Sequence, residues 1–210
     1  MKAYKIQYDT EKYTFRENIG FMMDSVFILE KLHKDLDYDL LERSKDQSTI
    51  WHKRYYRKFE EFQPLYTEFI KEVIKPHFKF KEIIYQKIPT FRVHLVNNLG
   101  VGEWHKDKTY NHGVTEINCW MPFTDAYDTN TIWLESKEDK GDFKPQTVIY
   151  GEVLIFDGAN LMHGNKINKT SNTRVSVDFR VVNPKNFIPN EAGSINTGTK
   201  FDIGGYFDKI

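Results

Sequence analysis

With 210 residues, 30 basic and 30 acidic side chains, and no formal net charge, the chain is sized for one domain with a sizeable core and carries no basic surplus that points to nucleic acid. Its single cysteine, Cys119, excludes an intrachain disulfide and fits a reducing, cytoplasmic setting. No apolar run is long enough for a signal peptide after Met1 or for a bilayer span, so neither secretion nor a membrane partner is expected.

From about residue 14 to 76 the periodicity is helical. Met22, Val26, Leu29, Leu32, Leu36 and Leu40 recur three or four apart and predict one amphipathic helix, its end blurred by Asp35, Asp37 and Asp39. A second stripe, Tyr55, Phe59, Phe62, Tyr66, Phe69 and Val73, predicts another, with Pro64 restarting the helix at its first turn and Pro76 ending it. Both stripes read as packing faces. His33, His52 and His77 lie among charged neighbours and are expected on the solvated surface rather than as ligands.

From Ile83 the pattern changes to short strands. Phe91 to Val96 alternates and ends in the turn Asn97-Asn98-Leu99-Gly100. Thr115 to Phe123, Thr131 to Ser136, Gln146 to Tyr150 and Val153 to Phe156 follow, with Cys119 expected to be a small buried hydrophobe. Arg174 to Val181 alternates most cleanly: Val175, Val177, Phe179 and Val181 on one face, Arg174, Ser176, Asp178 and Arg180 on the other. Such spacing predicts a mainly β jelly roll with a wet inner pocket, helices covering the outer apolar face, and a loop or lid after Pro184. The chain is thus divided as a helical flank (14–76), a jelly-roll core (83–181) and a C-terminal loop (184–210), in a single domain over 1–210.

Three residues carry candidate metal chemistry. His105 and Asp107 are two apart, so on an extended segment they project to one side; His163 arrives later, after the apolar run Val153-Leu154-Ile155-Phe156. Two imidazoles and one carboxylate are the facial set of non-haem Fe(II), which leaves positions open. The competing reading is a surface histidine beside a turn carboxylate. Arg174, eleven positions after His163, offers a planar fork for a carboxylate, and Ser176 adds a hydroxyl on the same face; a salt bridge of Arg174 with Asp178 is the alternative. His94 shares a strand face with Arg92, and His112 lies in a loop near the site. Trp104, Tyr110, Trp120, Trp133 and Glu135 are further candidates for pocket walls.

The combination His105-x-Asp107, Gly151-Glu152-Val153-Leu154-Ile155-Phe156, His163 and Arg174-x-Ser176 resembles the Fe(II)/2-oxoglutarate-dependent oxygenases, most closely the phytanoyl-CoA hydroxylase-like branch and the StrG-type proteins of streptomycin biosynthesis. The match spans about residues 91 to 181. It implies a double-stranded β-helix, with His105, Asp107 and His163 binding Fe(II), and Arg174 and Ser176 holding the distal carboxylate of 2-oxoglutarate. It further implies Asn118 as a polar contact to that co-substrate, and O2 as the oxidant of a small-molecule substrate. Where relatives have Pro-Gly-Ser-His, this chain reads Asn130-Thr131-Ile132-Trp133-Leu134-Glu135-Ser136-Lys137, which argues against long acyl-CoA substrates. Asp107 stands where halogenating relatives have a small residue, which favours hydroxylation. The resemblance suggests a sugar, aminoglycoside or similar polar metabolite as substrate, or a free or carrier-bound amino acid. A non-oxygenase cupin-like sugar-binding module or isomerase is the reading from a different class.

Overall fold

The computed structural model describes residues 1–35, 48–100, 103–190, 192–194 and 198–210. The fold is mainly β, with antiparallel sheets and few helices. In chain order it runs β1 (Tyr4–Gln7), α1 (Phe15–Met23), a 3-10 turn (Leu29–Lys34) and α2 (Ile50–Phe69), the last continuing through a π turn (Ile70–Ile74) and a final helical turn (Lys75–Phe78). The strands β2 (Ile84–Gln86), β3 (Thr90–His94), β4 (Ile117–Pro122), β5 (Trp133–Leu134), β6 (Lys144–Pro145), β7 (Glu152–Phe156), β8 (His163–Gly164), β9 (Arg174–Val182) and β10 (Phe207–Lys209) follow. The large sheet has the order β1-β7-β4-β9-β2-β10, with β3 also on β9; a small sheet has the order β6-β5-β8. Among the described residues no helix is long and apolar enough to cross a membrane.

β9 is the axis of the large sheet. On one side β4 pairs with it from Ile117↔Val181 to Pro122↔Ser176; on the other β3 pairs from Thr90↔Asp178 to His94↔Arg174. Its alternation sorts side chains as the sequence predicts. Val175, Val177, Phe179 and Val181 join one hydrophobic core with Phe91, Cys119, Met121, Ile155 and the α2 stripe Tyr55, Phe59, Phe62, Tyr66 and Phe69. Tyr55 stacks on Phe91 with ring centroids 4.5 Å apart. Each fully buried ring of this kind removes enough apolar surface to contribute on the order of 1.5–3 kcal/mol before its ordering cost. The opposite face of β9 points Arg174, Ser176, Asp178 and Arg180 inward, all buried.

Several sequence expectations need correction. The first stripe is not one helix. α1 ends at Asp24, which takes the left-handed conformation (φ 47°), and Val26 is 89% exposed before the 3-10 turn begins. Leu36, Asp37, Asp39 and Leu40 lie outside the described residues. Pro64 does not restart a helix; α2 runs through it. Pro64 and Glu60 are both exposed, so the Glu60 carbonyl that loses its helical donor can be met by water. Nor does Pro76 end the helix. It sits in the opening of the last turn, which stops at the left-handed Lys79. His52 is core rather than surface, 2% exposed with its ring edge-on to Phe91. The segment 146–150 forms no strand beyond the isolated bridge Ala126↔Val148, because Tyr150 and Gly151 turn the chain into β7.

The sheet also extends beyond residues 83–181 at both ends. β1 lies along β7, and the segment after Pro184 supplies β10, which zips onto β2 through Phe207↔Gln86 to Lys209↔Ile84.

Candidate metal centre

His105 and His163 face each other across an antiparallel bridge, each backbone N–H donating to the other's carbonyl at 2.9 and 3.0 Å. Their ring centroids are 4.5 Å apart. Lys106 between His105 and Asp107 is extended, so Asp107 returns to the same side, and its N–H donates to the Gly158 carbonyl at 2.9 Å. Gly158 is required there: a Cβ would come within 2.6 Å of the Asn118 amide. The result places one ligand atom each from His105, Asp107 and His163 within 4.8 Å of one another.

The hydrogen bonds leave the right atoms available. Both histidines use Nδ1 locally, on the Glu103 carbonyl at 2.9 Å and the Leu161 carbonyl at 2.9 Å. Donation from Nδ1–H fixes the tautomer with the lone pair on Nε2, the ligand form. Both Nε2 atoms face Asp107 Oδ1, at 3.3 and 3.5 Å. Asp107 Oδ2 is spoken for. It accepts from Arg180 Nε at 3.1 Å, Arg180 Nη2 at 2.8 Å and Asn118 Nδ2 at 2.7 Å. Burial works against the Asp107 charge, but Arg180 and the two histidines overcome it and hold the carboxyl well below the usual range. Burial pushes the His163 imidazole down to about 4, against the pull of Asp107, so it is neutral near pH 7. Two Nε2 lone pairs and one carboxylate oxygen fit a divalent transition metal.

Next to this trio lies a buried cation. Arg174 is 1% exposed and among the described residues has no carboxylate in ion-pair range. Its Nε donates to the Asn130 carbonyl (3.1 Å), Nη1 to Ser176 Oγ (2.8 Å), and Nη2 approaches His94 Nδ1 (3.5 Å). His94 Nε2–H donates to the Asn98 carbonyl at 2.8 Å, and its Nδ1 also lies 3.2 Å from the Asn130 carbonyl. Burial and Arg174 push His94 down to about 3, so it stays neutral beside the guanidinium. The expected alternative, a bridge from Arg174 to Asp178, is not made: Arg92 Nε takes one Asp178 oxygen at 3.1 Å and Arg180 Nη1 the other at 3.3 Å. Arg174, Arg180, Asn118, Trp120, His105 and His163 share one cavity of about 40 Å³. A larger groove, about 800 Å³, runs past Met1, Glu135, Lys144 and Asn160. It contains no histidine or arginine, and the chemistry places the site in the smaller one.

The other sequence candidates fall into place. Asn118 lines the cavity but gives its amide N–H to Asp107, while its Oδ1 is buried without a partner. Trp120 lies under the Arg174 guanidinium, 5.4 Å from it, and Trp133 lies under Lys166 Nζ at 3.5 Å. Glu135 lines the larger groove and not the cavity beside the histidines. Its carboxylate accepts from the backbone of Met162, Asp139 and Gly141 and so braces the approach to His163. Trp104 packs edge-on to Phe143, and Tyr110 edge-on to His105. His112 binds Glu116 Oε2 at 2.7 Å and packs on Phe201, tying its loop to the C-terminal segment. His33 and His77 lie away from the trio, on Thr173 and Tyr4. Arg180 is the partner of Asp107 that the sequence did not assign; its place on the polar face of β9 was the available signal.

Against known proteins, no family model matches the chain. The streptomycin biosynthesis protein StrG of Streptomyces griseus is 40% identical over 168 residues, covering 80% of this chain and 80% of that protein. The chain belongs to the StrG family. Among solved structures, the fold of this StrG-family protein is shared with SnoK, described as a non-heme alpha-ketoglutarate-dependent carbocyclase from nogalamycin biosynthesis. The TM-score is 0.58 at 10% identity, with 100% of this chain and 92% of SnoK covered.

Proposed function

We propose that this StrG-family protein is an Fe(II)- and 2-oxoglutarate-dependent dioxygenase that hydroxylates an unactivated C–H bond of a small polar metabolite, a sugar, aminoglycoside or related biosynthetic intermediate. The observation that carries the reading is Arg174: a buried guanidinium with no carboxylate in ion-pair range among the described residues, in one cavity with His105 and His163. A buried cation is strongly unfavourable unless an anion meets it, and its fork matches a carboxylate. A sugar-binding module or isomerase on the same frame has no use for it. We read the two sheets as a double-stranded β-helix, the fold that SnoK would share, and the chain as a cytoplasmic enzyme related to the phytanoyl-CoA hydroxylase-like branch. That the 40% identical relative is a streptomycin biosynthesis protein supports a polar biosynthetic substrate.

In this reading His105 and His163 offer Nε2, Asp107 offers Oδ1, and Arg174 with Ser176 grips the far carboxylate of 2-oxoglutarate. Bound there, Fe(II) supplies O2 activation coupled to oxidative decarboxylation of 2-oxoglutarate to succinate and CO2. His94 and Asn130 fix the direction of the Arg174 fork, and Trp120 walls its face. The space between these side chains, about 40 Å³, is smaller than a five-carbon diacid, so binding is expected to move the lining side chains.

The test is succinate formation from 2-oxoglutarate with Fe(II) and O2, with and without sugar, aminoglycoside and amino-acid candidates. Turnover, even uncoupled from a substrate, is expected in the native chain and is expected to vanish in His105→Ala. Absence of turnover together with absence of any 2-oxoglutarate thermal shift sinks the proposal.

A further inference from the structure

Asp107 is held in an unusual way: its two oxygens have entirely different surroundings. Oδ1 looks only at the two Nε2 atoms. Oδ2 receives three N–H groups, two from Arg180 and one from Asn118. These donors are themselves fixed. Asn118 and Arg180 are direct cross-strand partners in β4 and β9, so sheet register brings both to the same oxygen. The remaining arm of Arg180, Nη1, is held by Gln86 Oε1 at 3.2 Å, Asp178 Oδ2 at 3.3 Å and the Tyr206 hydroxyl at 3.1 Å. Tyr206 comes from the C-terminal segment. Its carbonyl accepts from Lys87 N–H at 2.9 Å, its ring packs between Phe201 and Phe207, and β10 directly after it is zipped to β2.

We infer that Arg180 and Asn118 restrict Asp107 to a single bond with the metal, and that Tyr206 of the C-terminal segment holds Arg180 in the pose that does this. The inference rests on the reading of His105, Asp107 and His163 as the metal site. A carboxylate can give one oxygen or both to an ion. Giving both here requires Oδ2 to abandon three hydrogen bonds, two of them charge-assisted. One metal bond from Asp107 leaves three positions of an octahedral ion for exogenous ligands; two would leave two. Arg180, Asn118 and Tyr206 are therefore positioning residues that protect a coordination position, and the C-terminal segment is part of the support of the metal centre rather than a cover over it.

The test uses the full-length protein loaded with Mn(II), with water-proton relaxation reporting the number of exchangeable waters on the ion. In the native protein, and in His77→Gln far from the trio, relaxation per bound ion is expected to be the same. In Arg180→Gln it is expected to fall by about a third, as one of three open positions closes, with Mn(II) affinity undiminished and 2-oxoglutarate binding to the loaded protein weakened. Tyr206→Phe keeps the ring packing and removes only the hydroxyl; a smaller fall in the same direction is expected. A purely structural role for Arg180 predicts the reverse pattern, weaker Mn(II) binding with unchanged relaxation per bound ion, and that result overturns the inference. Should Arg180→Gln fail to fold, Tyr206→Phe and Asn118→Ala decide it, and native relaxation in both overturns it. Unchanged relaxation in Tyr206→Phe beside a fall in Arg180→Gln removes Tyr206 alone. If the native protein fails to bind Mn(II), or His105→Ala binds it equally well, the metal-site reading itself fails, a different result from the ones above.

Discussion

Replacing Arg174 by Met separates stability from co-substrate binding, because only the second is expected to fall steeply. Arg174 is 1% exposed, and burial, seconded by nearby Arg92, pushes its pKa down to about 9 despite the pull of Asp178. Its charge is thus held at a cost of several kcal/mol, since a tenfold change in proton affinity is worth about 1.4 kcal/mol. Met has a similar length and no charge. Met removes that cost but leaves the Asn130 carbonyl and the Ser176 hydroxyl without their donor, at about 1–3 kcal/mol each, so the two effects largely offset; in a chain of this size each kcal/mol moves Tm by about 2–4 °C. The ligand side is the reverse. Losing one partner of a buried, hydrogen-bonded charge pair costs about 2–5 kcal/mol; at about 3 kcal/mol the Kd for 2-oxoglutarate rises ~100-fold. A thermal-shift assay with Mn(II), with and without 2-oxoglutarate at 100 times the native Kd, reads both. The native protein gains about 2.7 kcal/mol from the ligand, roughly 5–10 °C, whereas the variant gains about 0.4 kcal/mol, roughly 1 °C. Without 2-oxoglutarate the variant is expected to melt within a few degrees of the native protein. A variant that melts several degrees lower and keeps the full 2-oxoglutarate shift refutes the assignment of Arg174 as an anion site.

Two further outcomes follow from the packing. In Gly164→Ala the new Cβ would lie 2.7 Å from Trp104 Cδ2. Since Trp104 is backed by Phe143, a loss of about 1–3 kcal/mol is expected in urea denaturation; a loss under about 0.5 kcal/mol would mean that the indole is free to move. His52 is pushed down to about 3 by burial and by Arg92, from 6.5. Between those values the unfolded chain binds the extra proton, so stability falls as pH falls from about 6.5, by up to about 1.4 kcal/mol per pH unit for this one group. His52→Leu is expected to lose less stability than the native protein between pH 7 and pH 4.5, by up to about 3 kcal/mol; identical losses in the two proteins would show that His52 does not titrate with unfolding.

Where a pattern is local, the sequence carries the structure well. The alternation in β9 set apart a core face and a polar face, and both are found as expected. His105, Asp107 and His163 converge because an extended i, i+2 pair needs only one facing strand to complete it. Helix one failed for a local reason too. The 3- and 4-residue spacing of Met22, Val26 and Leu29 survives in the sequence, yet Asp24 turns left-handed and leaves Val26 in solvent. His52 was legible and missed. It is three and seven positions before Tyr55 and Phe59, on the same helical stripe, which outweighs its charged neighbours in sequence. Tyr206 was not legible. No periodicity marks the segment after Pro184, and its contact with Arg180 depends on the edge pairing of β10 with β2.

The same limit explains the two arginines. Arg174 and Arg180 occupy the same face of one strand, and nothing in their immediate sequence tells their surroundings apart. What separates them is which carboxylates lie opposite. Arg180 meets Asp107 and Asp178; Arg92 meets the second oxygen of Asp178; Arg174 meets neither. Glu116, also buried, stands behind Arg180 at 3.9 Å. Arg92, Arg174 and Arg180 therefore face Asp107, Asp178 and Glu116, three against three, but Arg174 is the one left without a carboxylate in range among the described residues, and a divalent ion on His105, Asp107 and His163 adds two positive charges. Buried charge of that size calls for a counter-anion. A neutral sugar supplies none, and a single carboxylate leaves half of it. A diacid that puts one carboxylate at the metal and the other on Arg174 cancels both charges, at the two places where they are unmatched. Given the metal site, the charge balance thus favours a dianionic co-substrate, and it predicts that a mono-acid analogue lacking the distal carboxylate binds the Arg174→Met variant as well as it binds the native protein.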